Sequence, residues 1–394
     1  MKKVVLINDY LVGGGAEQVY ADHKNLLSIY FDLYVFYGSL NNVKPGLFQH
    51  FFSVSNFLKL FYFLRKVHPE IIHLHNFHNF LSPSILLAIR IYKVIYNRNI
   101  RILYTAHDYH LICPDSLLGY YKNGSFRKLE NSLTFFDFIN LSLSKSKVIS
   151  IYKKLRWILA YKFFGLRNII DVIIAPSEFL KNKFQYSLPQ KEIKLVRNPL
   201  LLNHNCVKIK DKNLNEPIGI VFIGRISIEK GILEFIEMLS KIENQNYILS
   251  IYGDGPANNL LKESIKKWGL ENKVELKGRI EHKYLPNELV KYDVLVLPSI
   301  WYENAPLVLA EGANYGLRLL TCDYGGMNEL GQLCGNAYFF NYDDQNTLSN
   351  ALTDIENDIK NGVFSNYVSK VQEIFSPKVY SKEIQQLYSN TNCE

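Results

Sequence analysis

Apolar positions along this chain fall into short, mostly apolar runs separated by longer stretches of helical spacing. Runs at 4–8, 32–37, 71–74, 101–106, 172–176 and 193–196 are followed by a second set at 218–223, 248–253, 274–277, 294–297 and 318–322. The continuous apolar run 294–297 is that of a strand buried on both faces, as in parallel sheets, and the other runs, several broken by a polar residue, also read as strands. Helices are predicted from about Ala16, over Phe57–Val67, after Ser177 as N-cap, over Ile232–Ile242 and over Ala305–Tyr315. Strands alternating with helices define an α/β class with doubly wound parallel sheets. A chain of 394 residues suits two such domains. We place them at 1–202 and 218–375. The polar, aperiodic residues 203–217 read as a linker. Residues 376–394 form a tail with helical spacing at Val379, Ile384, Leu387 and Tyr388.

The stretch from Val294 to Glu329 is the most informative. The strand 294–297 ends at Pro298, and the loop Ser299–Asn304 carries Glu303. Pro306 lacks a backbone donor but is tolerated in a first helical turn. Gly316 suits a C-cap. Glu303 thus stands in the crevice at the strand's C-terminal end, and Glu311, eight positions on, lies inside the helix. Free N–H groups of the first turn favour an anion such as phosphate; acids beside such a site grip hydroxyls. An ordinary βαβ unit with two solvated glutamates fits the spacing equally well.

Other strand ends carry chemistry too. Gly13-Gly14-Gly15-Ala16-Glu17 follows the first strand in the layout of an anion-binding crevice, but it is not the dinucleotide fingerprint, because Gln18 occupies the sixth position. Gly224-Arg225 and Lys230-Gly231 follow the strand 218–223. Two cations there suit a diphosphate whose charge grows as a bond to it breaks; a pair of surface cations is the plainer alternative. His73, His75 and His78 raise zinc, but no cysteine or acid completes a local set, and a strand ending in polar residues suffices. His107-Asp108 follows the strand 101–106, pointing into the ligand crevice or packing at the core edge. From His110, Cys113 and Pro114 to about Arg127 the chain reads as one long irregular loop.

Charge changes the picture. Residues 1–200 hold 26 Lys and Arg against 12 Asp and Glu, a net of +14; the remainder holds 19 against 25, a net of −6. This asymmetry points to two domains with different partners. Between Asp137 and Asp171 lie seven basic residues and no acid: Lys145, Lys147, Lys153, Lys154, Arg156, Lys162 and Arg167, interleaved with aliphatic and aromatic side chains. Segment 145–167 therefore reads as a basic amphipathic helix on an anionic membrane surface, with a solvated helix face as the alternative. No nucleic-acid module accompanies the charge, so a nucleic-acid partner is not expected. Five scattered cysteines without C-x-x-C spacing favour a reducing compartment. No signal-peptide pattern and no membrane-span-length run is present, so a cytoplasmic protein, peripheral on the inner face of the plasma membrane, is expected.

These motifs resemble family 4 glycosyltransferases, over nearly the whole chain. The carriers are P-S-x-W/Y-E with E-x7-E at Glu303 and Glu311, G-R-x-x-x-E-K-G at Gly224–Gly231, T-x-H-D-x-H-x-x-C-P at Thr105–Pro114, and V-x-N-G/P at Val196–Pro199. The usual EA-x-A-x-G is here EGANYG, with Gly312 in place of alanine. The resemblance implies the GT-B fold: two Rossmann-like domains facing across a cleft, the first binding acceptor, the second binding a nucleotide-sugar, with the C-terminal helix packed back on the first. It implies retaining transfer of a hexose from UDP- or GDP-hexose to a saccharide, lipid-linked in bacterial polysaccharide assembly (O-antigen or capsule), with no cofactor and no metal. Arg225 and Lys230 would carry the leaving diphosphate. Glu303 and His107 would hold the sugar, and Glu311 the ribose. Gly14, Gly15, Glu17, His75, Asp108, Asn198, Gly224, Gly253, Gly278, Arg279, Asn304, Ala305, Pro306 and Leu307 would line the substrates. A nucleotide-sugar epimerase of the same fold and a non-catalytic nucleotide-sugar receptor are the alternatives.

Overall fold

The computed structural model describes residues 1–389 except 42, 44, 124, 131–132, 202–215, 243–245 and 363–366. Most of the expected linker 203–217 and the end of the tail lie outside the described residues. The chain divides into two compact units, Met1–Pro199 with Pro377–Glu394, and Leu200–Ser376.

The first unit is built on strands β1 (Lys3–Tyr10), β2 (Asp32–Ser39), β3 (Ile71–Leu74), β4 (Arg101–Thr105), β7 (Val172–Ala175) and β8 (Glu192–Leu195), with a separate hairpin of β5 (Gly119–Lys122) and β6 (Ser125–Lys128). The six-stranded sheet runs β2-β1-β3-β4-β7-β8, all parallel. The second unit carries β9 (Ile218–Ile223), β10 (Tyr247–Tyr252), β11 (Val274–Gly278), β12 (Val294–Leu297), β13 (Arg318–Cys322) and β14 (Ala337–Phe340). Its order is β11-β10-β9-β12-β13-β14, again all parallel. Every residue of β3, β7 and β12 is buried; a strand covered by helices on both faces has no solvent side, hence their apolar character, broken in β3 by the hydrogen-bonded His73. Edge strands β2 and β11 keep exposed positions.

In each sheet the first strand of the chain lies inside, and the chain jumps across it. The order reverses between β1 and β3 in the first unit and between β9 and β12 in the second. Diverging connections leave a crevice at the C-terminal strand ends there. The glycine loop after β1 and His75 after β3 fall at one switch point. Gly224–Lys230 after β9 and Glu303 after β12 fall at the other.

The helix Pro377–Ser389 packs Tyr380, Ile384, Leu387 and Tyr388 into the core of the first unit, beside Leu6, Tyr20, Leu27, Ile71 and Leu103. Lys2 Nζ donates to the Tyr388 carbonyl at 3.1 Å.

Three sequence expectations are corrected. The loop from His110 to Arg127 contains the β5–β6 hairpin, in which Tyr121 packs edge-on against Phe126; two four-residue strands are too short to show alternation. The basic segment is not one helix. Its α-helix spans Lys147–Trp157, a π-helical turn follows over Ile158–Phe163, and Gly165 at φ 57° breaks it before a 3₁₀ turn at Leu166–Ile169. Two of its cations face inward: Arg156 is buried and donates to the His78 carbonyl, and Arg167 Nη1 donates to the Leu111 carbonyl at 2.7 Å. The helix expected over Ala305–Tyr315 spans Leu307–Asn314, because Pro306 is extended (ψ 98°) and serves as its cap; a residue before proline also resists helical geometry.

Candidate active site

In the second unit the side chains gather on Glu303. The loop from Pro298 to Asn304 is held from several directions. Ile300 N donates to Glu229 O at 3.0 Å, Tyr324 Oη to Ser299 O at 2.8 Å, and Gly326 N to Glu303 O at 2.8 Å. Tyr342 Oη bridges Pro298 O at 2.5 Å and Gly231 O at 3.0 Å. So fixed, the loop buries the Glu303 side chain, and three donors converge on its Oε1: Lys230 Nζ at 2.6 Å, Ser299 Oγ at 2.6 Å and Trp301 Nε1 at 2.9 Å. Lys230 also lies over the Trp301 ring, 5.6 Å from its centre. A buried carboxylate is tolerated only when so satisfied.

Lys230 ends a 3₁₀ turn, Ile228–Lys230, that follows β9, and Gly231 caps it at φ 67°. A Cβ on Gly231 would overlap the Pro298 carbonyl and crowd Tyr342 Oη. The glycine is therefore what lets the lysine turn approach the glutamate loop. Gly231→Ala is expected to destabilise the second unit by about 1–3 kcal/mol, read as a lower urea midpoint; an unchanged midpoint would contradict this account.

Arg225 is exposed after β9, with no ion pair or hydrogen bond among the described residues. The two cations therefore differ: Lys230 is neutralised by Glu303, whereas Arg225 faces solvent. Gly224 and Gly253 are half-buried where β9 and β10 end, linked by Gly224 N to the Tyr252 carbonyl at 3.1 Å. Gly278 and Arg279 are exposed at the end of edge strand β11. Asn304 and Pro306 are buried, and Ala305, Leu307 and Glu311 half-buried, in and before the helix Leu307–Asn314.

In the first unit, Glu17 has a structural duty. Its Oε2 accepts from Gly14 N at 2.8 Å, satisfying the N-cap donor at the start of the helix Gly15–Leu27. His75 Nδ1 and His107 Nε2 are 3.0 Å apart with stacked rings. Behind them lies a network that sequence spacing did not reveal. His73 Nδ1 meets Tyr388 Oη at 2.7 Å and His73 Nε2 meets Thr105 Oγ1 at 2.8 Å. His23 Nδ1 meets Tyr380 Oη at 2.6 Å and His23 Nε2 meets Tyr388 Oη at 3.0 Å. Burial lowers the His107 pKa to about 4 and that of His23 to about 3, and holds His73 and His75 well below the ordinary range. These rings are neutral at pH 7.

Asp108 accepts from His110 through N at 2.9 Å and Nδ1 at 2.7 Å, and His110 stacks on His78. Burial opposes the Asp108 carboxylate, but the charge and hydrogen bonds of His110 outweigh it, and its pKa lies below the ordinary value. Asp9, absent from the sequence candidates, is buried and accepts from Asn79 N and Leu81 N at 2.8 Å; burial raises its pKa to about 6. Asn198 is buried after β8.

Among the described residues, two groups bring ligand-type atoms within 4.8 Å of one another, His23–His73–His75 and His78–Asp108–His110. Both ring nitrogens of His23 and of His73 are engaged by hydroxyls, so the first group is assembled as a hydrogen-bonded network. Sequence reading missed His23, and Ser299 and Trp301 as partners of Glu303. The latter two stood inside the P-S-x-W/Y-E motif, and only their convergence was hidden.

Residues 207–370 match the family model described as glycosyl transferases group 1. An uncharacterized 42.6 kDa protein in the cps region of Klebsiella pneumoniae is 27% identical over 333 residues, covering 81% of this chain and 76% of the relative. The structure is similar to sucrose-phosphate synthase from Thermosynechococcus elongatus (TM-score 0.71, 16% identity, 98% of each chain). It is also similar to Anabaena Alr3699/HepE in complex with UDP-glucose (TM-score 0.67, 16% identity, 99% of this chain and 100% of the other). The fold is thus GT-B, two Rossmann-like parallel-sheet domains, and the matches support a glycosyltransferase of that type.

Proposed function

We propose that the protein is a retaining hexosyltransferase, moving a hexose from a nucleotide-diphosphate sugar to a lipid-linked saccharide in bacterial polysaccharide assembly. The observation that carries this reading is the convergence of Lys230, Ser299 and Trp301 on the buried Glu303, beside exposed Arg225, at the switch point between β9 and β12. A relative from a cps region and a similar fold solved with UDP-glucose support it.

In this reading Arg225 and Lys230 receive the charge that grows on the diphosphate as its bond to the sugar C1 breaks. Lys230 arrives already positioned by Glu303, so little reorganisation is needed. Glu303 in turn accepts from sugar hydroxyls, and Glu311 from the ribose. Retention follows if the acceptor hydroxyl attacks C1 on the face the diphosphate leaves and passes its proton to a departing phosphate oxygen. In this reading Arg225, with Lys230 held by Glu303, takes the place a divalent metal would otherwise hold beside the diphosphate, so no metal is required.

Acceptor recognition falls to the basic first unit. Val148, Ile151, Phe163 and Phe164 are exposed beside Lys145, Lys147, Lys154 and Lys162; apolar side chains ringed by lysines suit an anionic membrane surface. Among the described residues no helix is long and apolar enough to cross a membrane.

The test is a panel of UDP- and GDP-hexoses, with EDTA, using membrane extract as acceptor. Incorporation into lipid from one donor, lost in Arg225→Ala and reduced in His107→Ala, is expected. Epimerised donor without acceptor would identify an epimerase, and saturable binding without turnover a receptor; each would overturn the proposal.

A further inference from the structure

A cavity of about 400 Å³ lies within the first unit, apart from the histidine network. Ile112, Pro114, Leu133, Phe138, Trp157 and Ile158 form its apolar walls, and the polar lining consists of Thr134, Lys162, Arg167 and Ser187. No carboxylate lines it among the described residues. The cavity is a consequence of the break in the basic segment. The π-helical turn Ile158–Phe163 carries Lys162, Gly165 reverses the chain, and the 3₁₀ turn returns Arg167 to the same wall.

The cations here are held, not merely near. Arg167 lies over the Trp157 ring, 5.5 Å from its centre, and Lys162 lies 5.8 Å from it. Neither pairs with a carboxylate among the described residues. Ser187 Oγ, at the end of the helix Glu178–Ser187, is buried without a hydrogen-bond partner among them. Two unneutralised cations on the wall of an apolar cavity leave an anion and an apolar chain unaccounted for. The volume falls in the range of small-ligand pockets, about 300–1,000 Å³.

The cavity wall also supports the loop that follows His107. Trp157 Nε1 donates to the His110 carbonyl at 2.8 Å and Arg167 Nη1 to the Leu111 carbonyl at 2.7 Å.

We infer that this cavity binds the lipid end of the acceptor: a chain of alkyl or prenyl type against Ile112, Phe138 and Ile158, with its phosphate on Lys162 and Arg167. This deepens the reading of the acceptor as lipid-linked and rests on it. Because Lys162 is exposed while Arg167 is half-buried, the phosphate would sit where the wall meets solvent and the chain would run inward.

The test is calorimetric titration of the full chain with decyl phosphate below its micelle concentration, alongside octyl phosphate, inorganic phosphate and decanol. Decyl phosphate is expected to bind, with octyl phosphate about 15-fold weaker for two fewer buried methylenes. Inorganic phosphate and decanol should bind at least tenfold more weakly than decyl phosphate. Ser187→Phe, which puts a ring into part of the cavity, should weaken binding at least tenfold with its thermal midpoint unchanged. Should that variant misfold, Lys162→Glu, at an exposed position, should still weaken binding at least tenfold. Binding without chain-length dependence, binding unchanged by both substitutions, or attachment to phosphatidylglycerol vesicles with no uptake of monomeric decyl phosphate would overturn the inference. No donor is used, so hexose transfer without alkyl phosphate binding would sink the cavity alone, and alkyl phosphate binding without donor turnover would sink the transferase alone.

Discussion

Glu303→Gln is expected to lower the rate of sugar transfer about 10²–10³-fold, the range found when a group that stabilises developing charge is removed. Three donors converge on one oxygen of this buried carboxylate. Replacing it by an amide leaves Lys230 without its counter-ion and sets an N–H₂ group among donors if the amide turns. Lys230→Ala should cost a similar factor, because it removes a cation from the leaving group and leaves Glu303 buried with one donor fewer. The two residues act as a unit, so the double variant should lose far less than the product of the single losses. Initial rates with saturating acceptor would give the three values, with urea midpoints confirming that each variant folds. Independent, multiplicative losses would show that the pair seen here is not the working arrangement.

The first unit is expected to lose stability steeply on acidification from about pH 6.5 towards pH 4. His23, His73, His75, His78 and His107 are all buried with pKa values below the ordinary 6.5, by desolvation first. In the unfolded chain each titrates near 6.5; in the folded unit His107 does so only near 4 and His23 near 3. Between those values the unfolded chain binds more protons. The stability is therefore complete above pH 6.5 and falls as the pH drops, by about 1.4 kcal/mol per pH unit for each histidine fully in that window. Asp9 works the other way between about 4 and 6, since burial raises its pKa to about 6, and burial raises Glu383 as well, but these two carboxyls stand against six imidazoles once His50, also lowered by burial, is counted. Thermal midpoints across pH 4–8 would check this, with His23→Gln predicted to flatten the slope. A flat profile below pH 6.5 would mean that the rings are accessible to protons in the folded state.

Much of the fold was legible because burial leaves a periodic trace. A strand covered on both faces is mostly apolar, with its few polar residues at an end or hydrogen-bonded like His73, which is why Ile71–Leu74, Val294–Leu297 and Arg318–Cys322 were readable to the residue. Strands without that trace were not. The edge strand β14, Ala337–Phe340, has only its last residue buried and was not among the predicted strands, and the short hairpin β5–β6 shows no alternation. The basic segment misled for the reverse reason. Its cations and aromatics have amphipathic composition, but composition does not say that Gly165 turns the chain or that Arg156 and Arg167 face inward.

The sequence by itself determined which side chains stand at strand ends. Helical and strand periods place Glu303, Arg225, Lys230, His75 and His107 just beyond apolar runs, and that much follows from local spacing alone. Which of them meet was decided only by tertiary structure. Lys230 and Glu303 lie 73 positions apart and come together because β9 and β12 are neighbours across a reversal of strand order. His73 and Tyr388 are 315 apart and meet because the helix Pro377–Ser389 packs on the first sheet. Periodicity reports how a residue sits relative to its own backbone. Hydrogen-bond partners, unneutralised cations and cavities depend on the neighbouring element, which local spacing does not specify.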